Sequence, residues 1–201
     1  MRDAKIMKVF NQYIKKFDMN KGNVKAMYFH SIKMMELCKD IAANLDYFTD
    51  EEITVCGLIG LFHDIGKIGI PDSILLKTER LTNDEYSEIK HHPAIGAHIL
   101  SNATIFKDII PIVKHHHERY DGKGYPRGLS GEDIPVGGRC LGVVDAFDAM
   151  VSRRPYKDPM PIPNALAEIE RNLGKQFDPV LGRTFIDLVV NGKINLDVYD
   201  K

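Results

Sequence analysis

Thr49-Asp50-Glu51-Glu52 leads through Val55, Leu58 and Ile59 to Phe62-His63-Asp64-Ile65-Gly66-Lys67-Ile68. The first four residues have the pattern of a capping box, with Thr49 as N-cap and Glu52 at the third helical position. The apolar residues that follow recur at helical spacing, so a helix is expected from Thr49 to about Phe62. Gly66 offers a stop shortly after it. An adjacent His63 and Asp64 at a helix end can point to one centre, although taken alone the pair also fits a capped, hydrogen-bonded terminus.

Working outward, most of the chain has the same period. Ile6, Val9, Phe10, Tyr13, Ile14 and Phe17 predict a helix over Lys5 to Phe17, and a second is expected from about Asn23 to Leu45. Thr82-Asn83-Asp84-Glu85 repeats the capping box before Tyr86 and Ile89. Pro93 and Pro111 mark first turns of later helices. Arg139 to Val151, Pro163 to Leu173 and Pro179 to Val190 complete the set. Asp121 to Pro135 breaks the pattern with Gly122, Gly124, Pro126, Gly128 and Gly131, and is expected to be an irregular loop. No stretch alternates strongly enough to predict a sheet. The expected fold is all-α and a single domain.

The bulk numbers agree with that class. The 201 residues are 44% apolar and 27% charged, as in an ordinary globular protein, and the formal net charge of −1 gives no global attraction to polymeric nucleic acid or an acidic membrane. Met1 to Phe10 is charged rather than signal-like, and no apolar run suffices for a membrane span. Cys38, Cys56 and Cys140 form no CxxC pair and read as small buried residues in a reducing cytoplasm.

Histidine carries the signal. All eight lie between His30 and His117, several of them adjacent. His30 shares a helix face with Met27 and Met34. Asp145 lies between Val144 and Ala146, and a carboxylate buried there needs a partner. Together His30, His63, Asp64, His92, His116, His117 and Asp145 offer five imidazoles and two carboxylates. Such a set favours a transition metal over calcium or magnesium. Seven ligands exceed what one ion needs, so two ions about 3.5–4 Å apart with a shared carboxylate are expected, and Asp64 is the natural bridge. His91, His98 and His115 are expected to lie on the surface or behind the ligands.

His63-Asp64-Ile65-Gly66-Lys67, His92-Pro93 with Gly96, and His116-His117-Glu118-Arg119-Tyr120-Asp121-Gly122-Lys123-Gly124-Tyr125-Pro126 closely resemble the signature of the HD-GYP family. The resemblance continues through Gly128-Leu129, Ile134-Pro135, Asp145 to Ala149, Arg154-Pro155-Tyr156 and Gly174 to Pro179. It implies a bacterial signalling enzyme with a helical HD-domain core. Residues 1–20 would be an N-terminal helical segment and 21–201 the catalytic domain. It also implies a di- or trinuclear centre, usually iron or manganese, and hydrolysis of cyclic di-GMP to pGpG and onward to GMP. The resemblance assigns the metal to the seven residues above. It sets Lys67 beside the substrate phosphate, makes Tyr125 the tyrosine of the name motif, and gives Arg154 and Lys157 the dinucleotide. Two alternatives stay open: a cyclic-dinucleotide receptor without turnover, and an HD phosphohydrolase acting on another nucleotide such as cyclic GMP-AMP. So do a homodimer, a regulatory domain or partner protein, and an excised rather than stand-alone domain.

One position departs from the family. Members with three metals resemble one another in a glutamate one helical turn before the first histidine, where this chain has Ala26. A methyl cannot ligate, so a two-metal enzyme that accumulates pGpG is expected. Ala26→Glu should raise the metal content towards three per chain and speed conversion of pGpG to GMP. Wild-type protein that holds three metals, or releases GMP with no pGpG phase, would contradict this.

Overall fold

The computed structural model describes residues 22–45, 48–152, 158–194 and 196, with the backbone alone for residues 22–28 and 105. Nine α-helices lie among them. They are α1 (Gly22–Ala43), α2 (Asp50–Phe62), α3 (Asp72–Leu75), α4 (Asn83–Ile89), α5 (His92–Leu100), α6 (Ile110–His115), α7 (Val136–Val151), α8 (Ile162–Arg171) and α9 (Pro179–Val190). Short 3-10 turns span Ile65–Gly69, Thr104–Phe106 and Gly131–Asp133. The described residues contain no strand, only an isolated bridge between Leu173 and Phe177. None of their helices is long and apolar enough to cross a membrane. The helix expected over Lys5 to Phe17 falls outside the described residues.

Helix α2 organises the rest. Its capping box forms reciprocally: Thr49 N–H donates to Glu52 Oε2 at 2.8 Å, and Glu52 N–H donates to Thr49 Oγ1 at 3.3 Å. Every residue from Cys56 to Phe62 is buried, so the second half of the helix is enclosed on all sides and delivers the chain into the interior. Helix α1 packs along α2, and α7 lies against α1, α2, α8 and α9. Met34, Leu37, Ile41, Ile59, Phe62, Leu141, Val144, Phe147, Ile169 and Phe185 form the shared core. Cys38, Cys56 and Cys140 are buried free thiols within it. A hydrogen bond with Cys140 and burial hold the Cys38 thiol well above its ordinary pKa, and burial pushes Cys56 up to about 12, so both remain protonated apolar fillers. Asp178 ties α9 to α7: its Oδ1 accepts from Val180 and Leu181 N–H at 2.8 and 3.1 Å, and its Oδ2 pairs with Arg139.

The start of one helix and the role of one glycine differ from the sequence reading. Helix α7 begins at Val136 rather than Arg139, because Gly137 carries no side chain to signal a period yet packs flush on Ile59 and Ile112. Gly66 does not stop α2. The helix ends at Phe62, and the chain tightens through Gly66 into the 3-10 turn Ile65–Gly69. Gly66 is required for a different reason. A Cβ there would lie 1.8 Å from the His92 carbonyl oxygen and 2.5 Å from Gly96 N, so glycine alone lets this turn sit against α5. Gly60 acts likewise between α2 and α1, where a Cβ would fall 2.3 Å from Met34 O.

Gly66→Ala should therefore force the Asp64 turn away from α5. A loss of at least about 2 kcal/mol in denaturant unfolding is expected, within the usual range for overpacking. An unchanged midpoint would show that α5 can retreat freely.

Candidate metal centre

Five elements meet at one point. Helix α1 brings His30, the end of α2 brings His63 and Asp64, the start of α5 brings His92, the end of α6 brings His116 and His117, and α7 brings Asp145. Helix ends leave carbonyl groups without intrahelical partners, and three of the histidines use them. His63 Nδ1 lies 2.8 Å from Gly60 O, His92 Nδ1 2.7 Å from Ile89 O, and His116 Nδ1 2.7 Å from Val113 O. A carbonyl only accepts, so each Nδ1 carries the proton and donates it. Each Nε2 lone pair is thereby free and directed inward.

The Nε2 atoms converge on Asp64, which is 5% exposed. Oδ2 of Asp64 faces one pair, 3.4 Å from His63 Nε2 and 3.8 Å from His30 Nε2. Oδ1 faces the other side, 3.3 Å from His92 Nε2. The potential ligand atoms therefore form two groups, His30–His63–Asp64 and Asp64–His92–His116–His117, each with its atoms within 4.8 Å of one another. Asp145 Oδ1 joins the first, 3.5 Å from His30 Nε2 and 4.0 Å from His63 Nε2. In each group two Nε2 atoms approach to 3.3 Å, His30 with His63 and His92 with His116. Two lone pairs held that close repel unless a cation or proton lies between them. A soft-to-borderline divalent ion suits imidazole and carboxylate donors in this arrangement.

The charge states agree. Burial, reinforced by neighbouring imidazoles, holds His116 well below the ordinary histidine pKa; burial lowers His92 and takes His117 down to about 4. These rings are neutral at pH 7, as metal ligation requires. Burial alone would also depress His63, but adjacent Asp64 outweighs it and raises the value. Burial disfavours the Asp64 carboxylate too, yet Lys67 and His63 hold its pKa well below the usual range. Lys67 Nζ lies 2.5 Å from Asp64 Oδ2. The seven residues and Lys67 thus occupy one site. Tyr125 adjoins it, its ring stacked on His117 at 4.8 Å between centres and 28° between planes. Arg154, Lys157 and the side chain of Ala26 lie outside the described residues. His91 and His98 are exposed, and His115 turns to Glu118 at 3.3 Å.

Two buried carboxylates were missed in the sequence. Asp148 Oδ2 lies 2.8 Å from His30 Nδ1, and its Oδ1 receives Lys33 Nζ at 3.2 Å and Ser152 Oγ at 2.8 Å. It does for His30 what a helix-end carbonyl does for the other rings. Its spacing of three from Asp145 in the otherwise apolar stretch from Cys140 to Val151 was the available signal. Glu118 accepts the N–H groups of Arg127 at 2.8 Å and Leu129 at 3.1 Å, pinning the far side of the loop that carries Tyr125. Arg119 forks onto Asp121 with two 3.0 Å bonds and reaches Gln176 Oε1, so the loop is also fastened to the turn before α9.

A model of the HD domain family matches residues 14–181. A cyclic di-GMP phosphodiesterase of Thermotoga maritima is 52% identical over 128 residues, 63% of this chain and 35% of that protein. The cyclic di-GMP phosphodiesterase response regulator RpfG of Xanthomonas campestris is 42% identical over 151 residues, 74% of this chain and 39% of that protein. The chain thus spans little more than a third of the length of these curated relatives. In fold, it resembles a crystal structure of a cyclic GMP-AMP-specific phosphodiesterase of Vibrio cholerae, with a TM-score of 0.65 at 21% identity over 85% of this chain and 47% of that one.

Removing the Asp148 carboxylate leaves His30 without its orienting acceptor. Manganese titration of Asp148→Ala should show binding weakened by about 10–100-fold in the group containing His30, with the His92–His116–His117 group little affected. Equal affinities in wild type and variant at both positions would refute this role.

Proposed function

Because this chain belongs to the HD domain family, we propose that it is a metal-dependent phosphodiesterase that opens and hydrolyses cyclic di-GMP. The observation that carries the reading is the Asp64 carboxylate, with one oxygen towards each of two histidine groups. His30, His63 and Asp145 would hold one divalent ion, His92, His116 and His117 a second, and Asp64 both. The donors suit several divalent transition metals, and the family resemblance selects iron or manganese among them. When bound, such ions would supply an acidified water as nucleophile and positive charge to hold the phosphate oxygens.

The protein supplies position and charge. Four ring orientations are fixed through Nδ1, so the inward lone pairs need little reorganisation. Lys67 is a point charge held against Asp64 at the rim of its pocket, suited to meeting a phosphate oxygen. Gly124 lets the loop fold flat on the backbone of residues 117–119, since a Cβ there would lie 2.4 Å from Arg119 N, and Tyr125 walls the site on the His117 side. Arg154 and Lys157 are assigned to the dinucleotide by sequence resemblance. With Ala26 in place of a further ligand, pGpG is the product of the first cut and GMP forms slowly. The names of the relatives at 52% and 42% identity support cyclic di-GMP as substrate. Relatives named 3'3'-cGAMP-specific phosphodiesterases of Vibrio cholerae match at 36–41% identity, so cyclic GMP-AMP is the alternative substrate. Retention of Lys67 beside seven potential ligands favours turnover over a receptor role.

Asp64→Ala should remove both ions and reduce cyclic di-GMP hydrolysis below detection, while circular dichroism stays helical. Metal content per chain and product chromatography are the measurements. A variant that keeps two tightly bound ions would rule out Asp64 as the bridge.

A further inference from the structure

The wall of the centre continues outward. Tyr125 stacks on His117, and Lys90 Nζ lies 5.7 Å from the centre of the Tyr125 ring. The same ammonium sits 4.6 Å above the ring of Tyr86. Lys90 and Tyr86 belong to one turn at the end of α4, two residues before His92, whereas Tyr125 comes from the irregular loop. An i,i+4 contact alone would be local helix decoration. Here the lysine also reaches a ring from a distant part of the chain, and that ring backs onto a potential metal ligand. Tyr86 is 48% exposed, so part of its ring faces solvent next to the lysine that links it to Tyr125. No carboxylate among the described residues pairs with Lys90, and Glu85, five residues back, is engaged by Lys77 at 2.7 Å.

A half-exposed aromatic ring with an ammonium lying over it is suited to a nucleobase, which would take the ring face while the lysine moves to the edge of the base. Every base offers a π-face to stack, and a lysine can donate to the O6 and N7 acceptors of guanine, where adenine presents an amino donor at position 6. We infer that Tyr86 and Lys90 form a purine ledge that stacks one base of the substrate and favours guanine, so that the attached phosphate is held over the metal centre. This deepens the phosphodiesterase reading and rests on it for the identity of the dinucleotide.

Calorimetry on manganese-loaded protein separates the base from the phosphate by comparing GMP, AMP and ribose 5-phosphate, which has the phosphate but no base. The wild type should bind GMP more tightly than AMP, and AMP more tightly than ribose 5-phosphate. Tyr86→Ala should weaken GMP about ten-fold relative to ribose 5-phosphate, and Tyr86→Phe should restore it, because the stacking face is what counts. Lys90→Met should reduce the preference for GMP over AMP and keep the preference for AMP over ribose 5-phosphate. In turnover of cyclic di-GMP, Tyr86→Ala should raise KM about ten-fold with kcat changed far less. GMP binding no better than ribose 5-phosphate in the wild type, or an unaltered ratio in Tyr86→Ala, overturns the ledge even if cyclic di-GMP is hydrolysed. Base-dependent binding that vanishes in Tyr86→Ala, in a protein that does not turn over cyclic di-GMP, would retain the ledge and overturn the phosphodiesterase reading instead.

Discussion

A carboxylate carried out of water must find compensating charge or hydrogen bonds, and Asp64 is the place where this chain meets that demand. It stands at the end of a helix whose last two turns are enclosed by α1 and α7, and two glycines permit the approach that encloses it. Around the buried anion gather the imidazoles of three other segments and the ammonium of Lys67. The placement of α1, α5, α6 and α7 can be read as the set of positions from which side chains reach that one group. Its two oxygens then divide the surroundings into two halves, which suits a pair of cations better than one.

The irregular segment after His117 is ordered by charge rather than by periodicity. Glu118 receives two backbone N–H groups from the far limb of the loop, and the Arg119–Asp121–Gln176 chain fastens the near limb to the turn before α9. Arg119 also brings the Asp121 carboxyl down to about 2, so this clasp persists through any physiological acidification. The reward of that fastening is Tyr125, held flat against His117 although no helix or sheet supports it.

What could be read in the sequence was local. The capping boxes at Thr49 and Thr82 form with both reciprocal bonds because each is contained in four consecutive residues. The helices from Pro93, Pro111 and Pro179 begin where those prolines fit, and the histidines and aspartates of the centre stood out by their clustering. What could not be read depends on partners far along the chain. Gly66 looked like a helix stop because its true neighbour, the His92 carbonyl, is twenty-six residues away in sequence and adjacent only after folding. Asp148 was passed over because its partner His30 lies on another helix, and Glu118 because its acceptors' mates are backbone groups with no side-chain signature. The start of α7 was hidden by glycines that pack without displaying a period.

The use of helix-end carbonyls to hold His63, His92 and His116 has a thermodynamic corollary. The terminal turn is the part of a helix that frays most readily, and a ring anchored there points inward only while that turn is wound. An ion that binds the wound state alone draws the equilibrium towards it, by the ordinary mass-action linkage between a ligand and the conformation it selects. The last turns of α2, α4 and α6 would thereby be coupled to one another through an ion none of them touches by its backbone. Rigidity at these termini and affinity at the centre would be two expressions of a single free energy, the fold gaining order in the same step in which the site becomes competent.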